Sequence, residues 1–107
     1  MNQEKPYIGE FEELVLLAIL KLGENAYGVP IREALEEATG RTVSVGALYA
    51  TLNRLEEKGL VSAKTGDATP ERGGRAKRYF TVEGSGALAL REAEAARRSL
   101  VPKLKLA

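Results

Sequence analysis

Ser44-Val45-Gly46-Ala47-Leu48-Tyr49-Ala50-Thr51-Leu52-Asn53-Arg54-Leu55-Glu56-Glu57-Lys58-Gly59 is the stretch on which the fold turns. Ser44 is a good N-cap, because its hydroxyl can accept from an N–H that the first helical turn leaves without a partner. Val45, Leu48, Leu52 and Leu55 recur at steps of 3, 4 and 3, the period of a helix that buries one face. Gly59 supplies the stop, so a helix is predicted from Ser44 to about residue 58. Its outer face is small: Gly46, Ala47 and Ala50 carry almost no side chain, with Tyr49, Thr51, Asn53 and Arg54 as hydrogen-bonding groups around them.

Downstream, residues 60–65 and 76–82 read as two strands, since Tyr79, Phe80, Thr81 and Val82 favour extended backbone. Residues 66–75 join them, a connection too long for a tight turn, with Pro70, Gly73 and Gly74 as breakers. Upstream, Phe11, Leu14, Val15, Ala18, Ile19 and Leu22 follow helical spacing over Glu10–Leu22. Leu16, Leu17 and Leu20 fall off that face, so this helix is apolar almost all round. Such a helix lies at the centre of a core or is shared with a partner chain. Tyr27-Gly28-Val29-Pro30 opens a second helix with Ile31, Ala34, Leu35 and Ala38 inward; Gly40 ends it, and a short extended piece over 41–43 follows. A fourth helix is predicted, capped by Thr81 or Ser85 and running to about residue 101. Gly86, Ala89, Ala93, Ala96 and Leu100 form a small-residue seam along it that suits close packing against another helix. Three helices followed by a hairpin make a mainly α fold with a small β-hairpin, a winged helix-turn-helix. The division expected is a winged helix-turn-helix domain over 1–82 and a C-terminal dimerisation helix with a tail over 83–107.

Composition removes whole classes of chemistry. The chain has 107 residues, enough for one domain. It has neither Cys nor His, which excludes disulfides, thiolate or imidazole metal sites and the usual nucleophile–base pairs. Glu12-Glu13 and Glu36-Glu37 are adjacent on helices and do not face each other. No enzyme, cofactor or metal is expected. The longest apolar run, 14–20, is far short of the ~20 residues that span a bilayer, and no signal peptide opens the chain, so a cytoplasmic protein is expected. The net charge of +1 conceals a polarity. Residues 1–40 hold 3 basic and 8 acidic side chains, residues 41–82 hold 8 and 4, and residues 83–107 hold 5 and 3. Within the middle segment Arg72, Arg75, Lys77 and Arg78 form an acid-free basic cluster.

A basic hairpin beside a bare-faced helix suits a polyanionic duplex, because a helix enters the B-DNA major groove only if its outer face lets the backbone approach. The residues assigned to that contact are Ser44, Gly46, Ala47, Tyr49, Ala50, Thr51, Asn53 and Arg54 on the third helix. Gly74, Arg75, Lys77 and Arg78 join them from the hairpin, and Tyr27 at the start of the second helix, where free N–H groups can hold a phosphate. Glu56 and Glu57 would repel phosphates and are expected at the far end of the helix. A protein-binding module that uses the apolar first helix fits the same pattern of elements.

The chain resembles the short PadR-like transcriptional regulators. The resemblance rests on Tyr27-Gly28-Val29-Pro30-Ile31, Ser44-Val45-Gly46-Ala47-Leu48-Tyr49, residues 52–61 and Gly73-Gly74-Arg75-Ala76-Lys77-Arg78-Tyr79, with Thr81 and Gly84 opening the last helix. It covers roughly residues 8–90. It implies a homodimeric repressor on a pseudo-palindromic double-stranded DNA operator, with the first and last helices as dimer interface. Phe11, Leu16, Leu17, Leu20, Ala89, Ala93, Ala96 and Leu100 are the residues expected there. It also implies a small apolar effector. Two departures stand out: there is no Trp to stack a planar ligand, and Val82 stands where the family often has Pro.

Overall fold

The computed structural model describes residues 8–66 and 76–101. Four helices and one hairpin follow in order: α1 (Glu10–Leu22), a short 3-10 turn (Gly23–Asn25), α2 (Gly28–Thr39), α3 (Val45–Glu57), β1 (Val61–Thr65), β2 (Arg78–Val82) and α4 (Gly84–Leu100). Each boundary has a local cause. Ser44 caps α3 as the sequence predicts, its hydroxyl oxygen accepting from the Ala47 N–H at 3.0 Å. Left-handed Gly40 closes α2, its N–H donating to the Glu36 carbonyl at 2.8 Å. The link from α2 to α3 is not a paired strand. It is held by α2 itself: Glu36 accepts from the Val43 N–H at 2.8 Å, and Arg32 donates to the Val43 carbonyl at 2.6 Å.

The core is a single cluster. Val15, Leu16 and Ile19 of α1 meet Ile31 and Leu35 of α2, Leu48, Leu52 and Leu55 of α3, Leu60 beyond α3, and Phe80 of β2. α1 packs against α2, α3, β2 and α4, so its buried arc covers most of its circumference. Leu16 is therefore fully buried inside its own chain, which corrects its assignment to a dimer interface. The exposed strip left on α1 carries Leu17 and Leu20, the latter 53% exposed. On α3 the inner face also differs from the 3-4-3 reading. Thr51 is only 2% exposed, whereas Val45 is 51% exposed. The buried stripe centres between Leu48 and Leu55, which brings Thr51 onto its flank and leaves Val45 one turn beyond the packed part of the helix.

The hairpin is antiparallel, with Val61 opposite Val82 and Thr65 opposite Arg78. β2 thus begins at Arg78, two residues later than the sequence suggests, although the Gly66 N–H still donates to the Lys77 carbonyl at 2.7 Å. The Phe80 N–H docks the ribbon by donating to the Ala26 carbonyl at 2.9 Å, and the Glu83 N–H extends the hairpin ladder by one rung, donating to the Leu60 carbonyl at 2.9 Å. The first sets the hairpin beside the start of α2. The cap of α4 is Glu83, through its backbone and without a side-chain bond. Thr81 lies within β2, and the Ser85 hydroxyl instead donates to the Gly59 carbonyl at 2.6 Å, tying α4 to the turn after α3.

Gly86 and Ala89 are buried, so the first half of the small-residue seam packs on its own chain. A Cβ at Gly86 would lie 2.3 Å from the Leu60 carbonyl oxygen and 2.9 Å from Val82, and the former is backbone that cannot swing aside. Gly86→Ala is therefore expected to destabilise the chain by about 1–3 kcal/mol, the usual cost of overpacking, outweighing the ~1 kcal/mol alanine gains in helix propensity. Urea unfolding measures it. A stability gain would mean that α4 can move off the hairpin.

Candidate nucleic-acid interface

Three elements converge on one side of the molecule. The exposed face of α3 presents Ser44, Gly46, Ala47, Tyr49, Ala50 and Asn53. Tyr49 reaches across to α2: a Cβ at Gly28 would lie 2.0 Å from its hydroxyl oxygen, so only glycine lets Tyr49 lie against the start of that helix. Beside Gly28, Tyr27 caps α2 and meets the Tyr79 ring edge-on, with centroids 5.4 Å apart. The Lys77 ammonium stands 4.7 Å above the Tyr27 ring, an electrostatic attraction between a cation and the ring's negative face. Arg78 leans the other way, over the Phe80 ring at 5.2 Å. Its guanidinium donates to Glu56 of α3 and, at 3.5 Å, to the Asn53 side-chain oxygen. Lys77 thus borders α2 while Arg78 borders α3, and hairpin and helix lie side by side.

Not every predicted residue joins this face. Thr51 is buried, and its hydroxyl accepts from Arg54 at 3.1 Å, so it is removed from the contact set. Arg54, half-exposed, is turned toward α1, where its Nε lies 3.4 Å from Glu12. Gly74 and Arg75 lie outside the described residues. Glu56, near the C-terminal end of α3, pairs with Arg78. Val29 and Val45, which sequence reasoning did not assign to this surface, are exposed and line a shallow cleft with Tyr49. Helical spacing placed Val45 inside; only the overhang of the first turn puts it outside.

An ion cluster joins α1 to the C-terminal half of α3, with Glu12 buried and its cationic partners partly exposed. Glu12 of α1 accepts from the Gly9 N–H at 2.9 Å and holds the Lys58 ammonium at 3.0 Å from both its oxygens, with Arg54 alongside. Burial by itself raises the pKa of such a carboxyl, but the Gly9 N–H, Lys58 and Arg54 together outweigh it, and the Glu12 pKa lies below the usual glutamate value. A group with a depressed folded-state pKa adds stability that is present above its unfolded pKa and lost as pH falls through the folded one. The chain is therefore expected to lose part of its stability below about pH 4.3. Glu12→Gln should cost about 2 kcal/mol at neutral pH, the scale of a hydrogen bond to a charged group, and should flatten that acid limb. Thermal unfolding across pH compares the two proteins; parallel acid limbs would remove Glu12 as the cause.

A second surface runs along α1 and α4. Leu17, Leu20, Leu88 and Leu100 are exposed, Leu100 at 80%. A groove of about 580 Å³ between the two helices is lined by Leu14, Leu17, Ala93, Ala96 and Leu100 among others, and Arg97 pairs with Glu13 across it. Ala89 lies in the core and Ala93 packs partly against it. Phe11, half-buried, lines a different depression with Leu14, Val43 and Ala47. Among the described residues no helix is long and apolar enough to cross a membrane.

A three-helix core with a two-stranded ribbon docked beside its third helix defines a winged helix-turn-helix protein. The profile of the transcriptional regulator PadR-like family matches residues 16–92, and the chain belongs to that family. A PadR-like transcription factor from Bacteroides fragilis is 31% identical, covers 84% of this chain and 82% of its own, and superposes with a TM-score of 0.69. A PadR family transcriptional regulator from Eggerthella lenta is 28% identical over 87% of this chain and 80% of its own, with a TM-score of 0.68. The complex structure of hsRosR-S1 is 25% identical over 91% and 79%, with a TM-score of 0.72. No curated protein matches the chain. The family consists of DNA-binding transcriptional regulators, not enzymes.

Proposed function

We propose that this chain is a homodimeric, sequence-specific repressor in the cytoplasm, which occupies a pseudo-palindromic operator and leaves it when a small apolar effector binds. The observation that carries the DNA reading is the small outer face of α3 lying against a hairpin that bears Lys77 and Arg78. Gly46, Ala47 and Ala50 let the helix axis approach base edges, Tyr49 and Asn53 supply hydrogen bonds, and Ser44, Tyr27, Lys77 and Arg78 face the flanking phosphates. Phosphate contacts supply most of the affinity and α3 the selectivity. Residues 1–82 serve as the DNA-binding unit and 83–107 as the dimerisation element. The leucines left exposed on α1 and α4 support a twofold partner there, since a small monomer rarely exposes such a patch without use. The apolar groove between the same helices supports an effector at that face.

The test selects duplexes from a random pool and measures oligomeric state by sedimentation. A dimer that enriches a sequence with two half-sites about one helical turn apart is the expected result. A dimer with no sequence preference would favour a protein-binding module instead.

A further inference from the structure

The large apolar side chains left exposed among the described residues fall into two groups. One lies on α1, on α4 and at Val101 just beyond it. The other is Val29, Val45 and Tyr49, where α2 and the first turn of α3 border one shallow cleft. Resting on the DNA reading above, we propose that Val45 is a specificity-determining residue, whose isopropyl group packs against the 5-methyl group of a thymine in each half-site of the operator.

Val45 is the first residue of α3 and is 51% exposed. A recognition helix meets base edges chiefly with its N-terminal residues. Val45 therefore stands where sequence is read, on a helix whose Gly46, Ala47 and Ala50 do not hold it off the groove floor. Tyr49, one turn on, lies against Gly28 and borders the same cleft. The chemistry of the cleft selects its occupant. Glu33 and Glu36 line it from α2, and Glu36 is already engaged with the Val43 N–H and with Arg32. Carboxylates there disfavour a phosphate. Val45 offers no side-chain hydrogen bond, so it cannot read a polar base edge. In the major groove the apolar feature is the thymine 5-methyl, which no other base of the duplex carries. Valine and methyl are both wet when protein and duplex are apart. Packing them together removes apolar surface from water, so thymine is preferred to cytosine at that step without any hydrogen bond.

The experiment pairs Val45→Ala with removal of the methyl itself. A duplex that the wild type selects from a random pool is resynthesised with deoxyuridine in place of thymine, one position at a time, which deletes only the 5-methyl group. Fluorescence anisotropy measures each duplex with both proteins, and a random-sequence duplex alongside. With wild type, replacing one particular thymine in a half-site is expected to weaken binding about fourfold, the worth of one buried methylene-sized group. With Val45→Ala the same replacement should cost less than about 1.5-fold, because the coupled partner is gone, while the remaining thymines respond as before. Val45→Ala should lose affinity for the selected duplex yet keep its affinity and salt slope on the random one, where binding is almost wholly electrostatic. Its unfolding midpoint should stay in place, since the side chain is exposed. A Val45→Ala protein that responds to every deoxyuridine as the wild type does, or that loses selected and random duplexes alike, overturns the proposal. A selected duplex that tolerates every deoxyuridine overturns the thymine contact alone, whereas a wild type that selects no duplex overturns the DNA reading on which it rests.

Discussion

Ala50→Glu abolishes operator binding while leaving the fold intact: this is the largest functional effect expected of any single substitution in the chain. Ala50 is exposed, midway along the outer face of α3, one turn from Gly46 and Ala47 on one side and from Asn53 and Arg54 on the other. A glutamate there holds the helix away from the groove floor and points a carboxylate at phosphates and base edges. Like-charge juxtaposition in an interface costs several kcal/mol, so the loss should exceed about 100-fold. Because the position is exposed and glutamate is a fair helix former, the stability change should stay within about 0.5 kcal/mol. Anisotropy titration and thermal unfolding of the same preparation separate the two effects. A folded Ala50→Glu protein that still binds the selected duplex would mean that α3 does not enter the groove.

The largest stability effect is expected at Leu16. Its side chain is fully buried among the core residues, so Leu16→Ala should cost about 2–5 kcal/mol through lost burial and the cavity left behind. Leu20, four residues on and half-exposed, should behave differently. Leu20→Ala should change protomer stability by less than about 1 kcal/mol and instead weaken self-association. Urea unfolding at several protein concentrations distinguishes them, since only a lost subunit contact alters the concentration dependence. A Leu16→Ala protein of wild-type stability that no longer dimerises would reverse the assignment and return Leu16 to an interface.

The two leucines show where periodicity stops being informative. An apolar residue on a helix apolar almost all round faces either its own core or another chain, and spacing cannot separate the cases. The neighbours do: α2, α3, β2 and α4 surround most of α1 and leave only the strip with Leu17 and Leu20. Thr51 is a similar case. A threonine beside a stripe of leucines reads as a polar outer residue, yet it is buried with its hydroxyl bonded to Arg54. Arg54 reads as a DNA contact until Glu12, 42 residues earlier, is found facing it. Glu56 was expected at the far end of α3, away from the duplex, and the docking of the hairpin brings Arg78 to it there across 22 residues.

The order of helices and strands, the Ser44 cap, the glycine stop of α2 and the bare outer face of α3 were legible in the chain, because each depends on residues within a turn or two of one another. Which side of α1 stays open, which polar groups of α3 turn inward and which cation meets which acid were settled only by tertiary packing. Those outcomes depend on elements far apart in the chain, and neither helical period nor composition records the angle at which such elements meet.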